Sequence, residues 1–196
     1  MQNKFFYDEP NAASQLASSI LYLLPTSTHT PVVIICIGTD RSTGDSLGPL
    51  VGTMLEQKGS LPFYVYGTLK DPIHAVNLEE KLKDIQQQHK QAFIIAVDAC
   101  LGRVKNIGMV TIEKGPLKPG AAVNKNLPSV GDAHITGIVN VSGFMEFFVL
   151  QNTRLHLVMN MAETIATGIY EAGMQLKKQQ RFTSLKVNEL KYKLSE

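Results

Sequence analysis

The sequence has few cysteines: only Cys36 and Cys100 occur among its 196 residues. No CxxC pair and no cysteine–histidine spacing typical of a zinc site is present. Each cysteine lies in or beside an apolar run that resembles a strand. This pattern is typical of buried thiols in a reducing compartment, so we expect both cysteines to be structural.

Long apolar runs are also missing. Every apolar segment is well short of the roughly 20 residues that a transmembrane helix needs. Near the N-terminus, Asp8 and Glu9 precede the short apolar stretch 20–24 at the place where a signal peptide would carry positive charge. We therefore expect a cytoplasmic protein that has no membrane partner.

An excess of charge of either sign is absent as well. The formal net charge is +2, and the basic residues cluster only near the end of the chain, at Lys177, Lys178 and Arg181. Without a basic patch elsewhere, the sequence gives no indication of nucleic-acid binding. Hydrophobic residues make up 44% of the chain and charged residues 18%, a composition that favours a folded core over disorder.

The length of the chain fits one domain spanning residues 1–196. Within that domain we predict an N-terminal helix and linker over residues 1–30 and a C-terminal surface helix over residues 179–196. The central strands are continuous apolar runs bounded by Gly, Pro or charge, which is typical of strands covered on both faces. We predict strands over residues 31–38, 63–67, 92–98, 108–113, 134–141 and 154–159. Helices are predicted over residues 11–24, 47–59, 78–88, 142–151, 161–178 and 182–194.

Strands that alternate with helices in this way predict a three-layer α/β/α sandwich with a mostly parallel central sheet. In such sheets, ligands bind beyond the carboxyl ends of the strands. Two acids occupy that position. Asp45 lies in a polar, glycine-rich loop, residues 38–49, that follows the first central strand, and Asp98 ends the apolar strand 92–98.

Two carboxylates at this edge can share one proton, because burial and a neighbouring negative charge both raise a carboxyl pKa. Such a pair can activate water and protonate a leaving amine. The competing interpretation makes Asp45 the N-cap of the helix that begins near Leu47 and makes Asp98 only a strand end. The loop matches neither the GxxxxGK[ST] nor the GxGxxG pattern, so a nucleotide site is a weaker alternative.

His134 begins a strand directly after a long loop, residues 115–132, and could complete an Asp45, Asp98 and His134 set around a divalent metal. A histidine bonded to the backbone explains the same residue equally well. Arg41, Asn124 and Lys125 are candidates for substrate binding, and a solvated loop is the alternative explanation for them.

The loop around Asp45 and the segment Ala96-Val-Asp-Ala-Cys100 resemble the spore germination protease, a bacterial endopeptidase that degrades small acid-soluble spore proteins. Gly44 replaces the Pro that is typical of that protease. The YyaC-type sporulation protein family, a shorter relative of the protease, resembles this chain from about Val32 onward. The resemblance implies a phosphorylase/hydrolase-like fold and maps two essential aspartates onto Asp45 and Asp98.

The hydrogenase maturation endopeptidases are similar more distantly. They carry an acid after the first strand, an Asp after a middle strand, and a His followed by Gly, which here corresponds to His134-Ile-Thr-Gly137. Together these resemblances imply a sporulation-associated peptidase-like hydrolase that acts on a protein or peptide. The alternative is a non-catalytic or metal-binding regulatory protein on the same scaffold. Cofactor identity and assembly into a homo-oligomer stay open at this point.

Overall fold

A computed structural model describes residues 3–27, 29–119 and 127–193, with side chains described as far as residue 181. Six strands form one sheet in the order β1-β5-β6-β4-β2-β3. Their bounds are Lys4–Phe6 (β1), Val32–Cys36 (β2), Tyr64–Tyr66 (β3), Phe93–Gly102 (β4), Met109–Lys114 (β5) and Ala133–Val141 (β6). Strands β3, β2, β4 and β6 pair in parallel, and β5 is antiparallel to both β6 and β1.

Helices cover both faces of the sheet. They are Ala12–Leu23 (α1), Leu47–Gln57 (α2), Leu78–Gln88 (α3), Glu146–Gln151 (α4) and Leu155–Lys193 (α5). On one face α1, α2 and α5 enclose the larger core, and on the other face α3 encloses the smaller one. The predicted three-layer α/β/α sandwich with a mostly parallel sheet is confirmed.

The strand β2 shows why an apolar β-branched run becomes a central strand. Val33 and Ile35 pack into the core beneath α3, while Val32, Ile34 and Cys36 pack into the core on the opposite face. All five side chains are buried. Because both faces are covered, no polar residue can alternate with the apolar ones.

Near the end of the chain one predicted strand was wrong, and two helices predicted separately form a single helix. Residues 154–159 were predicted as a strand, but nearly all of them lie in the first turns of α5. Val158, Met161 and Ala162 are buried, at the spacing of one helical face, and this packing overrides the local alternation of Leu155 and Leu157 with polar residues. Residues 161–178 and 182–193 then continue the same helix without a break.

Strand β4 is longer than the sequence indicated. Asp98 was predicted to end it, but the strand continues to Gly102 because β6 goes on pairing with it as far as Val141. The short edge strand β1 was not predicted. Among the described residues, no helix is both long and apolar enough to cross a membrane.

Candidate active site at the carboxyl end of the sheet

The loop after β2 brings Asp45 back to the end of that strand. The Thr39 amide donates a hydrogen bond to the Asp45 carbonyl oxygen over 3.1 Å, which closes the loop. Gly38 has φ +146°, and a Cβ there would overlap that same carbonyl oxygen. Glycine is therefore required at this position for the backbone to hold Asp45 against the strand end.

Asp45 does not cap the following helix. It lies in a single 3₁₀ turn, Gly44–Ser46, and the N-cap position of α2 is occupied by Ser46, with no side-chain hydrogen bond from the cap. Burial raises the pKa of the Asp45 carboxyl. Within the part of the chain that the structure describes, no basic side chain forms an ion pair with it.

Asp98 lies at the middle of β4, where the strand leaves its buried half. Its Oδ1 accepts a hydrogen bond from the Ala99 amide over 2.8 Å. The pKa of Asp98 is raised well above its usual range, first by burial and second by the negative charge of Asp45, against a smaller lowering by the Ala99 bond. The turn Gly44–Ser46, which carries Asp45, contacts β4, and the charge of Asp45 acts on Asp98, so the two carboxyl groups lie near each other.

The two acids do not titrate alike. Burial raises the pKa of Asp45, and the pKa of Asp98 is raised further, first by burial and second by the charge of Asp45. As the pH rises, Asp45 therefore ionises first and Asp98 keeps its proton, because a second negative charge beside the first is costly in a poorly solvated site. One carboxylate next to one carboxylic acid is the state that acid–base catalysis needs.

Three further polar side chains surround Asp98. Cys100 lies on the same face of β4, close enough that Asp98 contributes to raising its pKa to about 11, although burial is the main cause; a hydrogen bond with Thr136 opposes both effects. The hydroxyl of Thr136 is also 2.7 Å from that of Thr111 on β5. From the sequence we expected Cys100 to be structural, and neither threonine was selected. Alternation along a strand would have placed Cys100 beside Asp98, but the threonines depend on sheet register.

His134 contacts the backbone, as in the alternative to the metal-ligand interpretation. Its Nδ1 lies 2.9 Å from the Gly115 carbonyl oxygen, and it is paired in register with Ala96, two residues before Asp98. Among the described residues, no group of three or more His, Cys, Asp or Glu side chains could hold a metal ion. Asp45, Asp98 and His134 are all described, and their arrangement does not fit a three-ligand metal site.

Of the three proposed substrate-binding residues, the structure describes Arg41. Arg41 is exposed, and its backbone amide is bonded to the Thr39 hydroxyl at 3.3 Å. Asn124 and Lys125 lie outside the described residues. In the same loop as Arg41, the hydroxyl of Ser42 is buried and has no hydrogen-bond partner within the described chain. We did not select Ser42 from the sequence.

An exposed apolar surface adjoins the Asp45 loop. Helix α4 contacts the turn that carries Asp45, and Leu150 packs so closely that a Cβ on Gly44 would clash with it. The opposite side of this segment projects large apolar side chains into solvent, namely Phe144, Met145, Phe147 and Phe148. We call these four residues the α4 surface. Exposed apolar patches of this kind commonly mark binding sites.

Comparison with known proteins relates this chain to one family and one fold. Residues 4–168 match the family described as Protein of unknown function (DUF1256). The chain is 62% identical over 158 residues to "Uncharacterized protein YyaC" of Bacillus subtilis (strain 168), covering 81% of this chain and 77% of that protein. The crystal structure of a [NiFe] hydrogenase maturation protease HycI from Thermococcus kodakarensis KOD1 is similar in fold, with a TM-score of 0.53 at 20% identity, covering 79% of this chain and 97% of that one.

Proposed function

The chain belongs to the family described as Protein of unknown function (DUF1256), and we propose that it is an endopeptidase in which Asp45 and Asp98 activate water. The observation that carries this proposal is the pair of half-buried carboxyls at the carboxyl end of the sheet, with both pKa values raised and that of Asp98 raised further. The protease named in the structural comparison and the resemblance to the spore germination protease support the same reaction class.

The two acids divide the reaction between them. The Asp45 carboxylate takes a proton from water as the water oxygen attacks the carbonyl carbon of the peptide bond. Asp98 then gives its proton to the leaving nitrogen, which separates as an amine. At that point Asp45 is protonated and Asp98 is ionised, so transfer of one proton from Asp45 to Asp98 restores the starting state. No step requires a metal.

We further propose that the substrate is a protein of sporulating cells and that the reaction takes place in the cytoplasm. The YyaC-type resemblance supports this setting. The test is cleavage of small acid-soluble spore proteins by the wild type, Asp45→Asn and Asp98→Asn. Loss of either acid–base group should lower the rate by roughly 10²–10⁴-fold.

Asp40→Asn is the matched control, because Asp40 is an exposed acid of the same loop. It should cleave at the wild-type rate. Equal cleavage by the wild type and both active-site variants would remove the acid pair from the mechanism. Absence of cleavage by the wild type would reject the peptidase.

A non-catalytic binding protein is the second candidate, and the α4 surface favours it. Phe144 is 89% exposed, and Phe147 and Phe148 are more than half exposed, an arrangement that suits a partner with an apolar face. Under this candidate, spore proteins would raise the thermal stability of the chain without being cut. The double substitution Phe147→Ser with Phe148→Ser should abolish that stabilisation.

A further inference from the structure

Strand β4 extends beyond its neighbour on one side only. In register, β2 pairs with β4 from Val32 opposite Phe93 to Cys36 opposite Val97. Among the described residues, the last backbone hydrogen bond on that side runs from the Ile37 amide to the Val97 carbonyl oxygen, over 2.7 Å. On the opposite side, β6 continues to pair with β4 as far as Gly102. The second half of β4 therefore has one paired edge and one edge that faces the space beyond β2.

Alternation along the strand decides which backbone groups face that space. The Val97 carbonyl points towards β2, and the Gly102 carbonyl points towards β6, where it accepts a hydrogen bond from the Ser142 amide over 2.8 Å. Ala99 and Leu101 have the parity of Val97, so their amides and carbonyls point to the unpaired side. The Ala99 amide is bonded to the Asp98 carboxylate. For the Leu101 amide and for both carbonyl oxygens, the described residues supply no partner on that side.

The same edge carries the acid pair. Because Asp98 Oδ1 binds the Ala99 amide, its carboxyl group lies on the unpaired side of β4. Asp45 reaches it from the loop that follows β2, the strand whose end creates the gap. An edge with unpaired donors and acceptors is a template for another strand, and the groups of this edge that have no partner among the described residues lie directly beside the acid pair.

We propose that the substrate binds as an extended strand along this edge, paired with the backbone of Ala99 and Leu101. The inference rests on the proposed function and specifies its substrate class: a locally unfolded polypeptide segment recognised mainly through its backbone. A strand in this position brings its own peptide bonds to the carboxyls of Asp45 and Asp98. A helix cannot supply the required row of backbone groups, because its amides and carbonyls are bonded within the helix.

The Leu101 amide gives a direct test. Its hydrogen exchange is measured by NMR in the Asp45→Asn variant, which should bind without cutting. The probe is reduced, carboxymethylated α-lactalbumin, an unfolded chain, and the control is the same protein folded with its disulfides intact. We expect the Leu101 amide to exchange rapidly in the free variant and at least about tenfold more slowly with the unfolded chain. The Val97 amide, which faces β2, should exchange slowly throughout.

Three results would overturn this inference: protection of Leu101 in the free protein, equal protection by the folded control, or no change with the unfolded chain. Cleavage of the same unfolded chain by the wild type separates this inference from the proposed function. Protection of Leu101 without cleavage leaves edge binding intact and rejects the hydrolysis. Cleavage without protection rejects edge binding and leaves the hydrolysis intact.

Discussion

The two halves of β4 differ in burial, in strand pairing and in the side chains they carry. The first half, Phe93 to Val97, is apolar, almost fully buried and paired on both edges. The second half, Asp98 to Gly102, is half-buried and carries an acid and a thiol, and among the described strands it pairs with β6 alone. One continuous strand thus supplies both the centre of the core and one wall of the candidate active site.

In β4, the residues that stabilise the fold and the residues available for chemistry lie in different halves of one strand. Burial on both faces makes the first half intolerant of polar groups, and this packing fixes the direction in which the second half leaves the core. Beyond the end of β2, no described strand pairs with that edge of β4. Its side chains and backbone there can serve a ligand.

The largest difference should appear when apolar side chains are shortened. Ile95 is fully buried in the first half, so Ile95→Ala should lower the free energy of unfolding by about 2–5 kcal/mol. Leu101 is only half-buried in the second half, and Leu101→Ala should cost roughly 1 kcal/mol. Urea denaturation with a common slope measures both. Equal losses would show that the second half is as much a part of the core as the first.

Substitution of one acid beside each half of β4 should change the free energy of unfolding by a smaller amount, and in opposite directions for the two halves. Asp132 accepts a hydrogen bond from the Ile94 amide in the first half, so Asp132→Ala should lower the free energy of unfolding by about 1.5–3 kcal/mol. Asp98→Asn should raise that free energy at pH 8, because wild-type Asp98 ionises readily once the chain unfolds, whereas burial and Asp45 disfavour its charge in the folded state.

The gain in the free energy of unfolding from Asp98→Asn should increase as the pH rises. The folded pKa of Asp98 lies above its ordinary value of 3.8, so the folded state binds more protons between the two values. The wild type is thus at its best relative to the variant below pH 3.8, and it loses stability as the pH rises through the folded pKa. Unfolding curves of the two proteins should converge towards pH 4. A constant difference from pH 4 to pH 8 would contradict the raised pKa.

The smallest expected effect concerns the two thiols. Cys36 lies on β2, buried opposite Val97 of the first half of β4, and burial raises the pKa of its thiol strongly. Cys100 is half-buried in the second half with a pKa raised to about 11. Iodoacetamide should modify Cys100 slowly, about tenfold faster per pH unit between pH 8 and 10, and should reach Cys36 only after unfolding. Mass spectrometry of the labelled peptides measures this, and earlier modification of Cys36 would contradict the burial order.

The elements that could be predicted from the sequence are those in which local pattern and tertiary packing agree. The apolar run of β2 and the spacing of Leu78, Leu82 and Ile85 in α3 each indicate one structure, and the structure has it. The strand prediction for residues 154–159 was wrong because the alternation of apolar and polar residues there is local, whereas the burial of these residues depends on their place in α5. The short strand β1 depends on pairing with β5 across a long stretch of chain.

The candidate site could be predicted only in part. The rule that strand carboxyl ends form the site selected Asp45 and Asp98 without any knowledge of their distance. The continuation of β4 past Asp98 could not be predicted, because pairing with β6 extends the strand and no local pattern records that pairing. Thr136 comes beside Cys100 through the same register, and so it also needed the structure.

Carbon-13 NMR titration of the aspartate carboxyls tests the acid pair most directly, because it needs no substrate. We expect Asp98 to titrate well above its ordinary value and after Asp45 as the pH rises. In Asp45→Asn, the pKa of Asp98 should fall, because the repulsion from Asp45 is removed while burial is unchanged. An Asp98 that titrates in the ordinary aspartate range, with the same pKa in the wild type and in Asp45→Asn, would contradict the account.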